Sequence, residues 1–138
     1  MRISSRCEYG LRAMVYLARH EQEEKPVPLT EIVAQEGIPG PFLERILAQL
    51  REGGLVSTTR GVSGGYRLAR GSEAIAIGEI VTTLDGPLEL AGCVPDDAAC
   101  DRSHSCAART VWRQLDTAIS GALNGITLHD LTTDQETR

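Results

Sequence analysis

Residues 37–69 read GIPGPFLERILAQLREGGLVSTTRGVSGGYRLA, and their punctuation decides the fold. Gly37 closes a short helix that starts at Leu29 or Thr30 and runs to Gln35, as a C-cap glycine does. Pro39, Gly40 and Pro41 open a third helix, since proline suits the first helical turn. Its apolar face is Phe42, Ile46, Leu47 and Leu50, and Gly53 and Gly54 stop it. Two strand-like runs follow, Leu55 to Thr59 and Tyr66 to Ala69. They are joined by RGVSGG, residues 60–65, with the glycines a hairpin needs. A helix-turn-helix followed by such a hairpin predicts a winged helix.

Upstream, Ser4 to about His20 reads as a helix, with Leu11, Met14, Val15 and Ala18 on its buried face and Ser4 or Ser5 as N-cap. Glu21 to Pro28 is a polar, proline-bounded connection. Downstream, Ala76 to Leu84 is a short helix with Ile77, Ile80, Val81 and Leu84 inward. Residues 85–105 show no periodicity, a long stretch of a kind that usually carries function. From about Cys106 to Asn124 a long helix is expected, with Gly125 as its C-cap. Ala108, Trp112, Leu115, Ile119 and Ala122 step by four and three along it, the a/d seam of a helix that pairs with another. Ile126 to Leu131 reads as a final docking turn. The expected architecture is mostly α with a small β wing: a winged helix-turn-helix plus a long C-terminal dimerisation helix. Its parts are a DNA-binding domain over 1–84, a cysteine-bearing loop over 85–105, and the dimerisation helix with its tail over 106–138.

The chain has 138 residues, 41% hydrophobic and 24% charged, an ordinary balance for one small globular domain. No window approaches the roughly 18 apolar residues of a membrane span, and no apolar segment follows Met1. A cytoplasmic protein with no membrane partner is expected. Aromatic residues are 4%, too few for single-strand binding by base stacking. The net charge of −5 is unevenly spread: residues 1–71 carry 10 basic against 8 acidic side chains, and residues 72–138 carry 4 against 11. Such a division between halves points to a division of labour. No paired catalytic carboxylates, nucleophile–base pair or phosphate loop is present, so an enzyme is not expected.

A winged helix places its recognition helix in the major groove of duplex DNA while the wing reaches an adjacent groove. With Phe42 and Ile46 inward, Glu44 and Arg45 face the groove. A carboxylate accepts from a cytosine amino group, and arginine donates twice to guanine. Arg60 at the wing suits a narrow, electronegative minor groove. Arg2, Arg6, Arg51 and Arg67 are candidates for phosphate contacts, which position without specifying. Each of these arginines read alone is equally a solvated surface charge.

Cys93, Cys100 and Cys106 give C-x6-C-x5-C. Thiolates are soft ligands that select zinc, copper(I) or iron–sulfur clusters, and structural zinc usually shows tighter pairs. An iron–sulfur cluster is the leading expectation, with zinc or redox-active thiols as the alternative. Three thiolates leave one position to fill, and Glu8, Cys7 and His104 are candidates ahead of Asp96, Asp97 and Asp101. Glu8 is otherwise an acid complementing a helix N-terminus, His104 a solvated loop residue, and Cys7 a small buried hydrophobe.

Taken together, MRISSRCEYGLRAMVYLA, VPLTEIVAQEGIPGPFLERILAQLREGGLVSTTRG, SGGYRLAR, IAIGEIV, the three cysteines and VWRQLDTAISGALNGITLHDL resemble the IscR/NsrR-type winged-helix transcription regulators. The resemblance implies a homodimer that binds double-stranded operator DNA, with Glu44 and Arg60 reading it. It also implies an iron–sulfur cluster on Cys93, Cys100 and Cys106, whose loss, oxidation or nitrosylation changes DNA affinity. IscR-like members take a histidine three residues after the last cysteine as fourth ligand, and Arg109 stands there instead. NsrR-like members use an acidic residue near the start of the first helix of the other subunit, the place of Glu8. The resemblance therefore points to Glu8 from the partner, with Cys7 or His104 behind it. The cluster is two-iron [2Fe-2S] as in IscR-like members or four-iron [4Fe-4S] as in NsrR-like ones.

Overall fold

A computed structural model describes residues 2–90, 102 and 105–134. The elements run α1 (Ser5–Arg19), α2 (Leu29–Glu36), α3 (Gly40–Glu52), β1 (Val56–Thr59), β2 (Gly65–Leu68), a short 3-10 turn (Ser72–Ala74), α4 (Ile77–Asp85), α5 (Ala107–Gly125) and α6 (Leu128–Asp134). The mostly helical chain with one antiparallel hairpin is the expected winged helix-turn-helix, followed by the long C-terminal helix.

Local chemistry sets most of the boundaries. Ser4 caps α1 by accepting the Cys7 N–H at 3.0 Å, with Glu8 in the first turn and Arg19 in the last, both favourable against the helix dipole. Gly37 ends α2 in the left-handed conformation at φ 65°, which an L side chain rarely adopts. α3 follows after two residues, with proline in its first turn. In α4, Glu79 accepts from the Ala76 N–H at 3.1 Å and from Arg70 at 2.8 Å. These bonds, Arg70 first, hold its carboxyl below the usual carboxylate range.

The core lies where α1, α3 and α4 meet, closed by Leu128 of α6. The buried faces differ from the expected ones by about a residue. In α1 the buried side is Cys7, Gly10, Ala13, Met14, Leu17 and Ala18, while Leu11 and Val15 flank it half-buried. Small residues face inward there because two helices pack against the same stripe. In α3 Leu43 is fully buried, and Phe42 sits at the rim, edge-on to Tyr9 with ring centroids 5.6 Å apart. Val81 of α4 is likewise half-buried against the core. Gly125 is the last residue of α5 and not its left-handed cap: Ile126 takes the cap position in an extended conformation. Residues 126–128 then pair with 75–77, through Ile77 N–H to Ile126 C=O at 2.9 Å and Leu128 N–H to Ile75 C=O at 3.0 Å. That pairing fastens the end of α5 to the start of α4.

The wing is held at its base as well as along its ladder. β1 and β2 pair from Val56↔Leu68 to Thr59↔Gly65. Val27, just before α2, exchanges both backbone hydrogen bonds with Tyr66, at 2.9 and 2.7 Å. Arg67 adds two bonds, donating to the carbonyls of Glu23 (2.8 Å) and Glu24. Gly65 makes this approach possible: a Cβ there would meet the Val27 carbonyl oxygen at 2.3 Å and its carbon at 2.5 Å. Backbone cannot step aside as a flexible side chain can. Gly65→Ala should therefore cost about 1–3 kcal/mol, the usual range for overpacking. Urea denaturation should show this as a lower midpoint with an unchanged slope.

Candidate nucleic-acid interface and metal ligands

The solvent side of α3 presents Glu44, Arg45, Ala48, Arg51 and Glu52, all exposed, because Leu43, Ile46, Leu47 and Leu50 occupy the opposite face. Beside it, a groove of about 370 Å³ runs between the start of α2, the last turn of α3 and the wing. Its polar lining is Thr30, Arg51, Thr58, Thr59, Arg60 and Tyr66, and no carboxylate is among the lining residues. Recognition helix and wing face each other closely enough to interact electrically. The Tyr66 phenol is pushed above its ordinary pKa chiefly by burial, next by the Glu44 carboxylate, while Arg51 opposes the rise. Beyond the groove the wing tip stands out, with Val62 fully exposed beside Gly61 at φ 113°.

The arginines sort into two classes. The side chains of Arg45, Arg51 and Arg60 have no hydrogen bond or ion pair among the described residues. A second set is engaged: Arg67 ties the wing to the 23–24 carbonyls, Arg6 pairs with Asp85 at 3.8 Å, Arg12 with Glu36 at 3.3 Å, and Arg70 with Glu79. The exposed Arg2, Arg19, Arg102 and Arg113 belong with the first set. Among the four phosphate candidates of the sequence, Arg51 thus lines the groove and Arg2 is exposed just ahead of α1. Arg6 and Arg67 have structural partners. Sequence reasoning missed Thr30, Thr58, Thr59, Tyr66 and Ala48. In β1 only Val56 is buried and Ser57 to Thr59 are all exposed, so alternation gave no signal for Thr58, and Thr30 joins the groove only through tertiary structure.

Among the proposed metal ligands, Cys106 is the N-cap residue of α5, half-buried, with no side-chain capping hydrogen bond. Glu8 is exposed on the first turn of α1. Cys7 is only 2% exposed, and burial first, then Asp85 and Glu8, pushes its thiol up to about 11. That places it among small buried hydrophobes. Cys93, Cys100 and His104, with Asp96, Asp97 and Asp101, lie outside the described residues. Among the described residues no group of three or more His, Cys, Asp or Glu could hold a metal ion. Arg109 is buried in the first turn of α5. No helix among the described residues is long and apolar enough to cross a membrane.

Residues 3–134 match the family described as Rrf2, iron-dependent transcriptional regulator. The chain belongs to the Rrf2 family. It is 38% identical over 136 residues to the HTH-type transcriptional regulator IscR of Serratia proteamaculans, covering 99% of this chain and 82% of that one. Among solved structures it is similar to CymR, the global cysteine regulator of B. subtilis. There the TM-score is 0.82 and the identity 32%, over 96% of this chain and 97% of that one. IscR of T. potens is similar too, with a TM-score of 0.78 and 34% identity, over 98% of this chain and 88% of that one. The protein is therefore a helix-turn-helix transcriptional regulator of the IscR type, from a family of regulators and not of enzymes.

The division of the arginines has a measurable consequence on duplex DNA of arbitrary sequence. Removing one phosphate-binding side chain should make the slope of log K against log salt shallower by about 0.9. Arg51→Ala and Arg60→Ala should each flatten the slope in fluorescence anisotropy titrations. Arg70→Ala, which breaks an internal ion pair instead, should leave it unchanged.

Proposed function

We propose that this regulator acts as a homodimer on two-fold operator DNA, and that an iron–sulfur cluster held by Cys93, Cys100, Cys106 and Glu8 of the partner subunit sets its affinity. The observation that carries this reading is a juxtaposition at the start of α5. The last cysteine of the cluster motif, Cys106, stands at the N-cap of a helix whose apolar seam is uncovered. Trp112 is 40% exposed and Leu115 43%. Ala108 and Ala122 are exposed and Ile119 is half-buried. Large apolar side chains left open along one helix at four–three spacing mark an interaction surface. A second copy of the same helix supplies a matching face for it.

The donor set fits the group. Thiolates suit iron–sulfur clusters, Cys106 has its sulfur unengaged by the helix it caps, and Glu8 is open to an incoming partner. When bound, the cluster supplies iron–thiolate bonds sensitive to iron status, redox poise and nitric oxide. Everything else belongs to the chain. Arg51 and Arg60 bind phosphate and minor groove, Glu44 and Arg45 read base edges, and α5 sets the separation of the two recognition helices and so the match to half-site spacing. Occupancy of the cysteine motif then favours one of two arrangements of the dimer, a shift of population.

Protein purified without oxygen should be a coloured dimer, with iron and acid-labile sulfide in equal amounts. The variant with Cys93, Cys100 and Cys106 all replaced by alanine should be colourless and altered in operator affinity or site choice. A colourless, iron-free wild type that resists reconstitution would contradict the cluster. The same cysteines would then sense zinc or thiol oxidation directly.

A further inference from the structure

Asp85, the last residue of α4, carries its negative charge at the end of a helix where the dipole is also negative. That placement disfavours α4 on its own. What offsets it lies 81 residues away in sequence. The Asp85 carboxylate accepts the Ser4 backbone N–H at 3.2 Å and the Ser4 hydroxyl, and faces Arg6 at 3.8 Å. It therefore sits at the positive end of α1.

Ser4 in turn holds the first turn of α1. With its O–H donated to Asp85, the Ser4 oxygen accepts the Cys7 N–H at 3.0 Å, and its carbonyl accepts the Glu8 N–H at 3.0 Å. One turn further on, Gly10 is pressed between two helices. A Cβ there would meet Leu84 Cδ1 of α4 at 2.3 Å and Ile46 Cγ2 of α3 at 3.2 Å. Leu84 is the neighbour of Asp85, and Ile46 lies on the buried side of the recognition helix. The same stretch of α1 thus touches the point where the chain leaves α4 for its cysteine-bearing segment, and the back of the helix that faces DNA.

We infer that Asp85 is a positioning residue for operator binding: through Ser4 it fixes the first turn of α1 against the end of α4, and through Gly10 that register reaches Ile46 and α3 within one subunit. This rests on the DNA-binding reading above and goes beyond it, because it assigns a role to a contact that touches neither DNA nor any ligand cysteine.

The test uses the full chain and a duplex selected by the wild-type protein from a randomised pool, with an unselected duplex for comparison. Ser4→Ala and Asp85→Ala should each speed amide exchange at Cys7 and Glu8 by about tenfold, the scale of removing an N-cap. Each should lower affinity for the selected duplex by about as much, with affinity for the unselected duplex unchanged. The double variant should be no worse than either single one, since both break one clasp. Ser4→Thr, which keeps the hydroxyl, should restore both readings. Glu79→Gln, which removes another carboxylate of α4 without touching α1, should lower stability alone. Faster exchange with unaltered selectivity in the Asp85→Ala protein would overturn the inference, as would full additivity in the double variant. A wild-type chain that binds no duplex would overturn the DNA-binding reading itself, and the inference with it.

Discussion

At Gly10, α1 passes so near α4 and α3 that a single methyl group would overlap Leu84 and press on Ile46. The rest of the structure is arranged around that closeness. A side chain at this position would force the buried Leu84 side chain to move and would crowd Ile46, disturbing the dense packing of the core. Because α1 is close to its neighbours, both its inner and its outer side are put to use. Its inner face joins α4 and α3. Its outer side secures α2, through the Tyr16 hydroxyl on Glu31 at 2.6 Å and Arg12 on Glu36. Its first turn is held by Asp85. The helix-turn-helix is thus braced from behind by α1.

The electrostatics follow the same division. A chain of net charge −5 binds a polyanion only if its positive charge is concentrated and unspent. The unspent guanidinium groups of Arg45, Arg51 and Arg60 stand on α3 and the wing, around a groove without carboxylates. Arg6, Arg12, Arg70 and Arg67 are consumed internally, by Asp85, Glu36, Glu79 and the carbonyls beneath the wing, while Arg2, Arg19, Arg102 and Arg113 are exposed elsewhere on the chain. Arg67 spends its charge on the Glu23 and Glu24 carbonyls and so ties down the hairpin from which Arg60 projects.

Much of this was legible in the sequence, for a physical reason. Glycine and proline act locally, so Gly37, Pro41 and the Gly53–Gly54 pair mark the ends of α2 and α3 wherever the chain folds around them. The hairpin followed from Gly61, Gly64 and Gly65 in the same way. Buried faces were harder. A 3.6-residue period leaves neighbours such as Phe42 and Leu43 nearly equivalent, and only the partner helix decides between them. Long-range polar contacts were not legible at all: nothing near Asp85 signals Ser4, and nothing near Arg67 signals the carbonyls of Glu23 and Glu24. Of the groove's lining, Arg51 and Arg60 could be named in advance for their type, and Thr30, Thr58, Thr59 and Tyr66 could not.

The most direct measurement of whether the cysteine motif governs DNA binding compares one preparation with itself. Affinity for a selected duplex would be determined without oxygen on the cluster-loaded chain, and again after the cluster has been removed with a chelator. The expected result is a different affinity or a different preferred site in the two states, with the dimer intact in both. Identical affinity and identical site choice would contradict control by the cluster, and would leave a winged-helix regulator whose cysteines do not govern its DNA.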